Sequence, residues 1–288
     1  MMSESLQANR LADCDIVFKY FRKLPGDSVI KLISSIFILS SLSQLVFSSI
    51  GNTEADKSFL NGTVHTSTGC SGAVIKLGRA PGKLYVLTNG HCVPEVYDPN
   101  NPIQKNLRVV QNVSREKDYY DQAFDAEYGM MSVSYKRLVY GTMDQTDLAL
   151  LEPIQTEQDF RRNGVQIFQI DSQETKMDDA FLIPSSHWEA FRVCKIKTRI
   201  PIMTENQWTF SNALLMDDAC LIVGGWSGSP VISKRTGKIT AIVNSGNGSD
   251  HHSGPALAQR VQDLTGCVTT TGIFQLNLPS CRLPKNSY

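Results

Sequence analysis

The stretch Gly224-Gly225-Trp226-Ser227-Gly228-Ser229-Pro230 stands directly before the apolar pair Val231-Ile232. A nucleophilic serine needs an exposed hydroxyl on a tight turn, with backbone N–H groups directed at the oxygen that becomes negatively charged. Glycines on both sides of Ser227 permit such a turn and let a substrate approach the backbone closely. The same letters also fit an ordinary Gly/Ser-rich hairpin turn, so this stretch alone leaves both interpretations open.

A histidine follows an apolar β-type run further upstream, in Leu84-Tyr85-Val86-Leu87-Thr88-Asn89-Gly90-His91-Cys92. Histidine can act as a general base near neutral pH because its ordinary pKa is about 6.5. A disulfide from Cys92 to Cys70 would tie the turn that carries His91 to the neighbouring strand. Closing a loop of this size is worth roughly 3 kcal/mol in the chain-entropy model. The alternative is a structural histidine at the end of a strand.

A carboxylate heads a third segment, Thr146-Asp147-Leu148-Ala149-Leu150-Leu151. An aspartate at the start of a buried run must be hydrogen-bonded or paired, and a histidine N–H is a suitable partner. An aspartate that merely starts a strand is the alternative. Asp144 is the nearest rival, but it lies further from the apolar run.

The three segments occur in the order His91, Asp147, Ser227, with spacings of 56 and 80 residues. His-Cys, then Asp-Leu-Ala-Leu-Leu, then Gly-x-Ser-Gly-x-Pro resembles the chymotrypsin-like (trypsin-like) serine peptidases over about residues 60–265. The wording Gly-x-Ser-Gly-Ser-Pro is similar to that of bacterial members. An α/β-hydrolase would instead place Ser before Asp before His. The resemblance implies an all-β fold of two six-stranded antiparallel barrels, with the active site in the cleft between them.

The resemblance also implies roles for single residues. Ser227 is expected to be the nucleophile, His91 the general base and then acid, and Asp147 the group that orients the imidazole. The N–H groups of Gly225 and Ser227 are expected to form the oxyanion hole. Such an enzyme cleaves proteins or peptides through an acyl-enzyme and needs neither a metal nor an organic cofactor. The alternative is a catalytically silent binding protein on the same fold, but all three triad candidates are present.

Two positions depart from the trypsin pattern. Trp226 stands where trypsins carry the aspartate that pairs with a new N-terminal amine, so we predict no trypsinogen-type activation switch. Leu221 falls where trypsins place a pocket aspartate, which argues against a preference for Lys or Arg. The segment 241–246 lacks the histidine of glutamyl endopeptidases, although Asn244-Ser245-Gly246 is expected to pair with the substrate backbone by strand addition.

The rest of the chain after residue 52 alternates short runs rich in Val, Ile, Thr, Tyr and Phe with turns rich in Gly, Pro, Asn and Asp. This pattern indicates an all-β protein, with a helical period only near Ala256–Leu264. The polar stretch Glu152–Asn163 is interpreted as a crossover. We therefore expect an N-terminal barrel over 52–157, and a C-terminal barrel with a tail over 158–288.

The composition is that of a globular protein, with 41% hydrophobic and 19% charged residues in 288. Lys plus Arg equals Asp plus Glu at 28 each, so the formal net charge of zero gives no support for a nucleic-acid surface. The adjacent pair His251-His252 is expected to be solvated rather than to hold a metal.

The N-terminal segment 1–51 has Lys19, Arg22, Lys23 and Lys31 before the uncharged run Leu32–Ile50. This pattern indicates a signal peptide of a secreted or periplasmic protein. The alternative is a membrane anchor with the catalytic domain outside the cytoplasm.

Six cysteines after the apolar run form an even set that suits an oxidising compartment. Besides Cys70–Cys92, order and proximity suggest that Cys194 pairs with Cys220 and Cys267 with Cys281. The sequence alone does not fix these pairs.

Overall fold

The computed structural model describes residues 57–78, 82–97, 109–114, 121–127, 129–205, 208–246 and 254–285. They belong to one compact unit, Lys57–Tyr288. The expected signal or anchor at 1–51 and the pair His251-His252 lie outside these residues. None of the helices formed by the described residues has the length and apolar character needed to cross a membrane.

The first sheet has nine strands, namely β1 (Thr63–His65), β2 (Ser71–Leu77), β3 (Lys83–Thr88), β4 (Val109–Ser114), β5 (Asp121–Phe124), β6 (Met130–Val133), β7 (Tyr135–Thr142), β8 (Leu148–Pro153) and β9 (Phe168–Gln169). Neighbours follow the order β4-β7-β8-β3-β2-β1-β5-β6, and the short β9 lies parallel to β2. Every residue of β8 is buried, which explains why its sequence is a continuous apolar run rather than an alternating one.

The pairing of β3 with β8 positions the first half of the site. The two strands are antiparallel, with Thr88 opposite Ala149. The end of β3 therefore meets the start of β8. His91, just after β3, and Asp147, just before β8, are brought together by this register although 56 residues separate them in sequence.

The second sheet is a closed barrel of β10 (Ala180–Ser185), β11 (Ala190–Glu205), β12 (Trp208–Met216), β14 (Pro230–Ser233), β15 (Ile239–Ser245) and β17 (Leu257–Arg260). Its strands follow the order β10-β11-β12-β17-β15-β14 around the ring. Two short strands, β13 (Leu221–Ile222) and β16 (Gly254–Pro255), pair beside it. The loop that carries Ser227 connects β13 to β14.

The predicted all-β fold with two sheet units is confirmed, and the second unit is the expected ring of six strands. The first unit has nine strands and, over the described residues, an open path that ends at β4 and β6. The helical segment expected near Ala256–Leu264 is wrong, because β17 inserts there between β12 and β15 and a 3-10 turn follows at Gln262–Cys267. The strand pairing that closes the barrel therefore decides the conformation of this segment, against its local helical pattern.

The polar crossover contains one short helix, α1 (Glu157–Arg162), which begins with a capping box between Thr156 and Asp159. β9 follows α1 and still belongs to the first sheet. The chain therefore changes sheets between Gln169 and Ala180, and the domain boundary expected at residue 157 stays a prediction.

Three disulfides link cysteines among the described residues, and they are the pairs that the sequence suggests. Cys70–Cys92 joins the start of β2 to the turn after β3, Cys194–Cys220 joins β11 to the loop before β13, and Cys267–Cys281 closes the C-terminal segment.

That C-terminal segment also completes the core between the sheets. One buried apolar cluster contains residues of the first sheet, the second sheet and the tail, among them Ile75, Leu150, Ile232, Ile242, Leu264, Leu276 and Leu283. The Tyr85 hydroxyl in β3 donates to the Gly272 carbonyl at 3.0 Å and accepts from the Phe274 N–H at 3.1 Å. The tail is therefore part of the fold that holds the two sheets together.

Candidate active site

Asp147 and His91 form a hydrogen-bonded pair. Asp147 is 1% exposed, and its Oδ2 lies 2.5 Å from His91 Nδ1. Its Oδ1 accepts the backbone N–H of His91 at 3.0 Å, so the carboxylate holds both the ring and the backbone of the histidine. Because an ionised carboxylate only accepts, this contact places a proton on Nδ1 and leaves Nε2 of the neutral ring able to accept one.

Asn89 and Thr68 steady the turn that carries the histidine. The Asn89 side-chain amide donates to the Asp147 carbonyl oxygen at 2.9 Å. The Thr68 hydroxyl donates to the carbonyl of Cys92 at 2.8 Å, beside the Cys70–Cys92 disulfide. The turn is therefore fixed from both sides of His91.

The pKa of His91 is set by opposing effects. Burial disfavours the charged imidazolium and lowers the pKa, but the charge of Asp147, its hydrogen bond and the charge of Glu205 outweigh burial. The pKa of His91 is therefore raised above its ordinary value of 6.5. A raised pKa makes the ring a stronger base once it is neutral.

Ser227 sits on a turn whose backbone is anchored to both sheets. The Ser71 N–H of β2 donates to the Ser227 carbonyl at 2.8 Å, and the Gly228 N–H donates to the Val243 carbonyl at 2.9 Å. Within the described residues, the N–H groups of Gly225 and Ser227 and the Ser227 hydroxyl make no hydrogen bond. Two unpaired N–H groups beside a free hydroxyl are the parts that an oxyanion hole and a nucleophile require.

Trp226 holds the nucleophile turn by burial rather than by an ion pair. Its side chain is 2% exposed and belongs to the core of the second barrel. The Arg192 guanidinium lies 5.2 Å from the centroid of the indole, within the range of a cation–π interaction. An apolar anchor thus occupies the place where the sequence comparison with trypsins expects an ionic one.

A cavity of about 290 Å³ joins the two halves of the site. His91, Asp147 and Ser227 all line it. Its remaining wall is mostly apolar or aromatic and comprises Tyr97, Met143, Glu205, Trp208, Phe210, Ile222, Val223, Gly224 and the β15 edge from Val243 to Gly246. A larger cavity of about 960 Å³ lies elsewhere, around Lys76, Arg161 and Lys238, and no triad candidate lines it. The smaller cavity is therefore the candidate active site, because the three triad candidates line it.

The triad candidates and the predicted substrate-binding edge both line this cavity. Asn244, Ser245 and Gly246 line it, as expected for an edge that receives substrate. Leu221 is 44% exposed and is not among the lining residues, which instead include Ile222 and Val223. Leu221 therefore does not line this cavity, and its expected place in a specificity pocket stays a prediction.

The sequence did not indicate the contribution of the β11–β12 hairpin to the cleft. Glu205 and Trp208 lie at its tip, and Trp208 packs edge-on against Tyr97, with ring centroids 6.5 Å apart. Among the described residues, no cation pairs with Glu205. The polar pair Asn206-Gln207 was a weak sequence signal of this tip.

His187 and Trp188 were also missed. The His187 ring lies 5.4 Å from the ring of His65, and its buried Nδ1 has no partner among the described residues. Burial first, and then the nearby His65, lower the pKa of His187. The Trp188 indole N–H donates to the Gly224 carbonyl at 2.7 Å, so this turn contacts the loop that precedes Ser227.

The chain belongs to the trypsin-like peptidase domain family, whose model matches residues 70–242. That range contains all three triad candidates and most strands of both sheets. The observed arrangement of a His–Asp pair and a serine turn in one cleft is thus found in a peptidase domain.

Solved structures of proteases share similarity with the chain at low sequence identity. The protease domain of MamO from Magnetospirillum magneticum is 15% identical, with 71% of this chain and 94% of that chain covered, at a TM-score of 0.48. Deg5 is 17% identical, with 73% and 88% covered, at 0.43. Kallikrein-related peptidase 10 is 15% identical, with 69% and 89% covered, at 0.44. No curated protein sequence matches.

Proposed function

We propose that this protein is a serine endopeptidase that hydrolyses peptide bonds through an acyl-enzyme on Ser227. The observation that carries the proposal is the Asp147–His91 pair, at 2.5 Å, facing the same cavity as Ser227. Membership of the trypsin-like peptidase domain family supports the reaction class.

In the proposed reaction the Ser227 Oγ attacks the substrate carbonyl carbon while its proton passes to His91 Nε2. The carbonyl oxygen becomes an oxyanion that accepts hydrogen bonds from the Gly225 and Ser227 N–H groups. The C–N bond then breaks as His91 returns the proton to the leaving amine. Water repeats the sequence on the acyl-enzyme, and Asp147 stabilises the imidazolium each time it forms. The Ser227 hydroxyl makes no hydrogen bond to His91 in this structure, and this bond is expected to form on substrate binding, as catalytic hydrogen bonds commonly tighten at that stage.

The substrate is proposed to be an extended protein or peptide segment. Support comes from the strand edge at Asn244–Gly246, which borders the cavity and offers backbone groups for strand addition. The apolar and aromatic wall around Trp208 and Phe210 suits side chains that lose water on binding.

Labelling with an organophosphonate probe tests the activity. We expect stoichiometric modification that peptide mapping locates on Ser227, and none in Ser227→Ala. A matched Ser229→Ala variant, two residues away, should label normally. No modification of folded, oxidised wild-type protein would contradict the proposal and favour the alternative, a silent binding protein on this fold.

We also propose that the protein works outside the reducing cytoplasm, either released or anchored to a membrane. Three disulfides suit an oxidising compartment. N-terminal sequencing of protein from its native host separates the two forms. A start near residue 52 indicates a cleaved signal, whereas a start at residue 1 in the membrane fraction indicates an anchor.

A further inference from the structure

One peptide unit of the nucleophile loop has an unusual support. The Gly224 carbonyl and the Gly225 N–H are the two ends of a single planar, trans peptide unit, so they point in opposite directions. Fixing the carbonyl on one side therefore fixes the direction of the N–H on the other. The Gly225 N–H is one of the two proposed oxyanion donors.

Trp188 is the residue that fixes this carbonyl. Its indole Nε1 donates to the Gly224 oxygen at 2.7 Å. Among the described residues it is the sole hydrogen-bond donor to that oxygen. The other peptide units of the loop have different partners, because the Ser71 hydroxyl donates to the Gly225 carbonyl at 3.3 Å and the Ser71 N–H to the Ser227 carbonyl.

The indole is itself held in place by its surroundings. Trp188 lies on the turn between β10 and β11, where its ring packs edge-on against the His187 ring at 5.1 Å. Its backbone N–H donates to the Ser185 hydroxyl at 3.3 Å. Trp188 is 51% exposed, so about half of its surface remains in contact with solvent. Its indole Nε1, by contrast, is hydrogen-bonded to the nucleophile loop.

Without the hydrogen bond from Trp188, the Gly224–Gly225 peptide unit would rotate easily. Both flanking residues are glycines, and Gly225 adopts φ +83°, a region that glycine enters without a steric penalty. Rotation would turn the Gly224 carbonyl toward the cleft. A carbonyl oxygen there would repel the negative charge that develops in the reaction.

We propose that Trp188 is a positioning residue that keeps the Gly225 N–H directed into the oxyanion hole. This inference rests on the proposed peptidase function. It assigns to an exposed aromatic side chain a role in the transition state rather than in substrate binding.

The test is Trp188→Phe, which removes the indole N–H and keeps an aromatic ring against His187. We expect kcat to fall about fivefold, the factor that corresponds to a net hydrogen bond of about 1 kcal/mol, with KM within twofold of wild type. A peptide aldehyde, which forms a tetrahedral adduct at the serine, should lose affinity by the same factor as kcat/KM. Phe191→Leu on the same hairpin is the control. Phe191 is 45% exposed, contacts Phe59 and makes no hydrogen bond to the loop, so its kcat should stay at the wild-type value.

The outcomes separate the two proposals. An active wild type with an unchanged kcat and aldehyde affinity in Trp188→Phe would overturn the role of Trp188 and leave the peptidase proposal intact. A wild type that neither cleaves peptides nor reacts with the phosphonate would overturn both. If Trp188→Phe does not fold, hydrogen exchange measured by NMR on the wild-type protein tests the hydrogen bond instead. The Trp188 indole N–H should exchange with D2O more slowly than a free indole, and unprotected exchange would contradict the hydrogen bond.

Discussion

Gly225→Ala tests how tightly the nucleophile loop packs against its neighbours. Gly225 has φ +83°, where an alanine costs roughly 1–2 kcal/mol of stability. A Cβ there would also lie 2.3 Å from Cδ2 and 2.9 Å from Cγ of the His187 ring, so the ring or the loop must move. Overpacking of this kind costs about 1–3 kcal/mol. The total expected loss is about 2–5 kcal/mol.

Gly237→Ala separates backbone strain from the clash. Gly237 has a similar φ of +67°, and a Cβ there would meet nothing within 4 Å. Urea unfolding should therefore show a loss of only about 1–2 kcal/mol for Gly237→Ala. Its kcat should be unchanged, whereas Gly225→Ala should lose turnover because its N–H is displaced.

A double-mutant cycle then isolates the contact with His187. Introducing Gly225→Ala into a His187→Ala background should cost only the backbone strain, which gives a coupling energy of about 1–3 kcal/mol. The reasoning fails if Gly225→Ala is no more costly than Gly237→Ala. It also fails if His187→Ala leaves the cost of Gly225→Ala unchanged.

Four further predictions concern His91 and its surroundings. The proposed activity needs neutral His91, so kcat/KM should rise with pH through a midpoint above 6.5, and a midpoint below 6.5 would contradict the raised pKa. The same raised pKa means that the stability contributed by charged His91 is complete below pH 6.5 and is lost as pH rises through the folded-state pKa, which urea unfolding across pH measures. Glu205→Gln removes one of the charges that raise this pKa, so the midpoint should move to lower pH; an unmoved midpoint would place Glu205 outside the electrostatics of the site. Replacing Cys70 and Cys92 by alanine removes a disulfide with a sequence separation of 22, so the free energy of unfolding should fall by about 3 kcal/mol. The kcat of the folded variant should also fall, because the turn after β3 that carries His91 is no longer tied to β2.

Much of the fold was predictable because short-range patterns encode it. The continuous apolar run Leu148–Leu151 indicated a fully buried strand, and β8 is one. The helical period at Ala256–Leu264 gave a wrong prediction, because pairing with neighbouring strands of the barrel decides whether such a segment is a strand. The open path of the first sheet depends on long-range pairings that no local pattern records.

The site divides in the same way. The sequence predicted His91, Asp147 and Ser227 because each lies beside a recognisable flanking pattern. Glu205 and Trp188 reach the cleft and the loop through tertiary packing of hairpins, with no flanking motif of their own. The sequence therefore indicates the reacting groups better than the groups that tune and position them.

The C-terminal segment that completes the shared core has a consequence for when the proposed activity can arise. Leu264, Leu276 and Leu283 are the last parts of that core to be synthesised, and Cys281 must be present before its disulfide can form. A nascent or truncated chain that already carries His91, Asp147 and Ser227 still lacks the side chains that close the space between the sheets. The proposed peptidase activity should therefore arise only after Leu283 has been synthesised and can join this core.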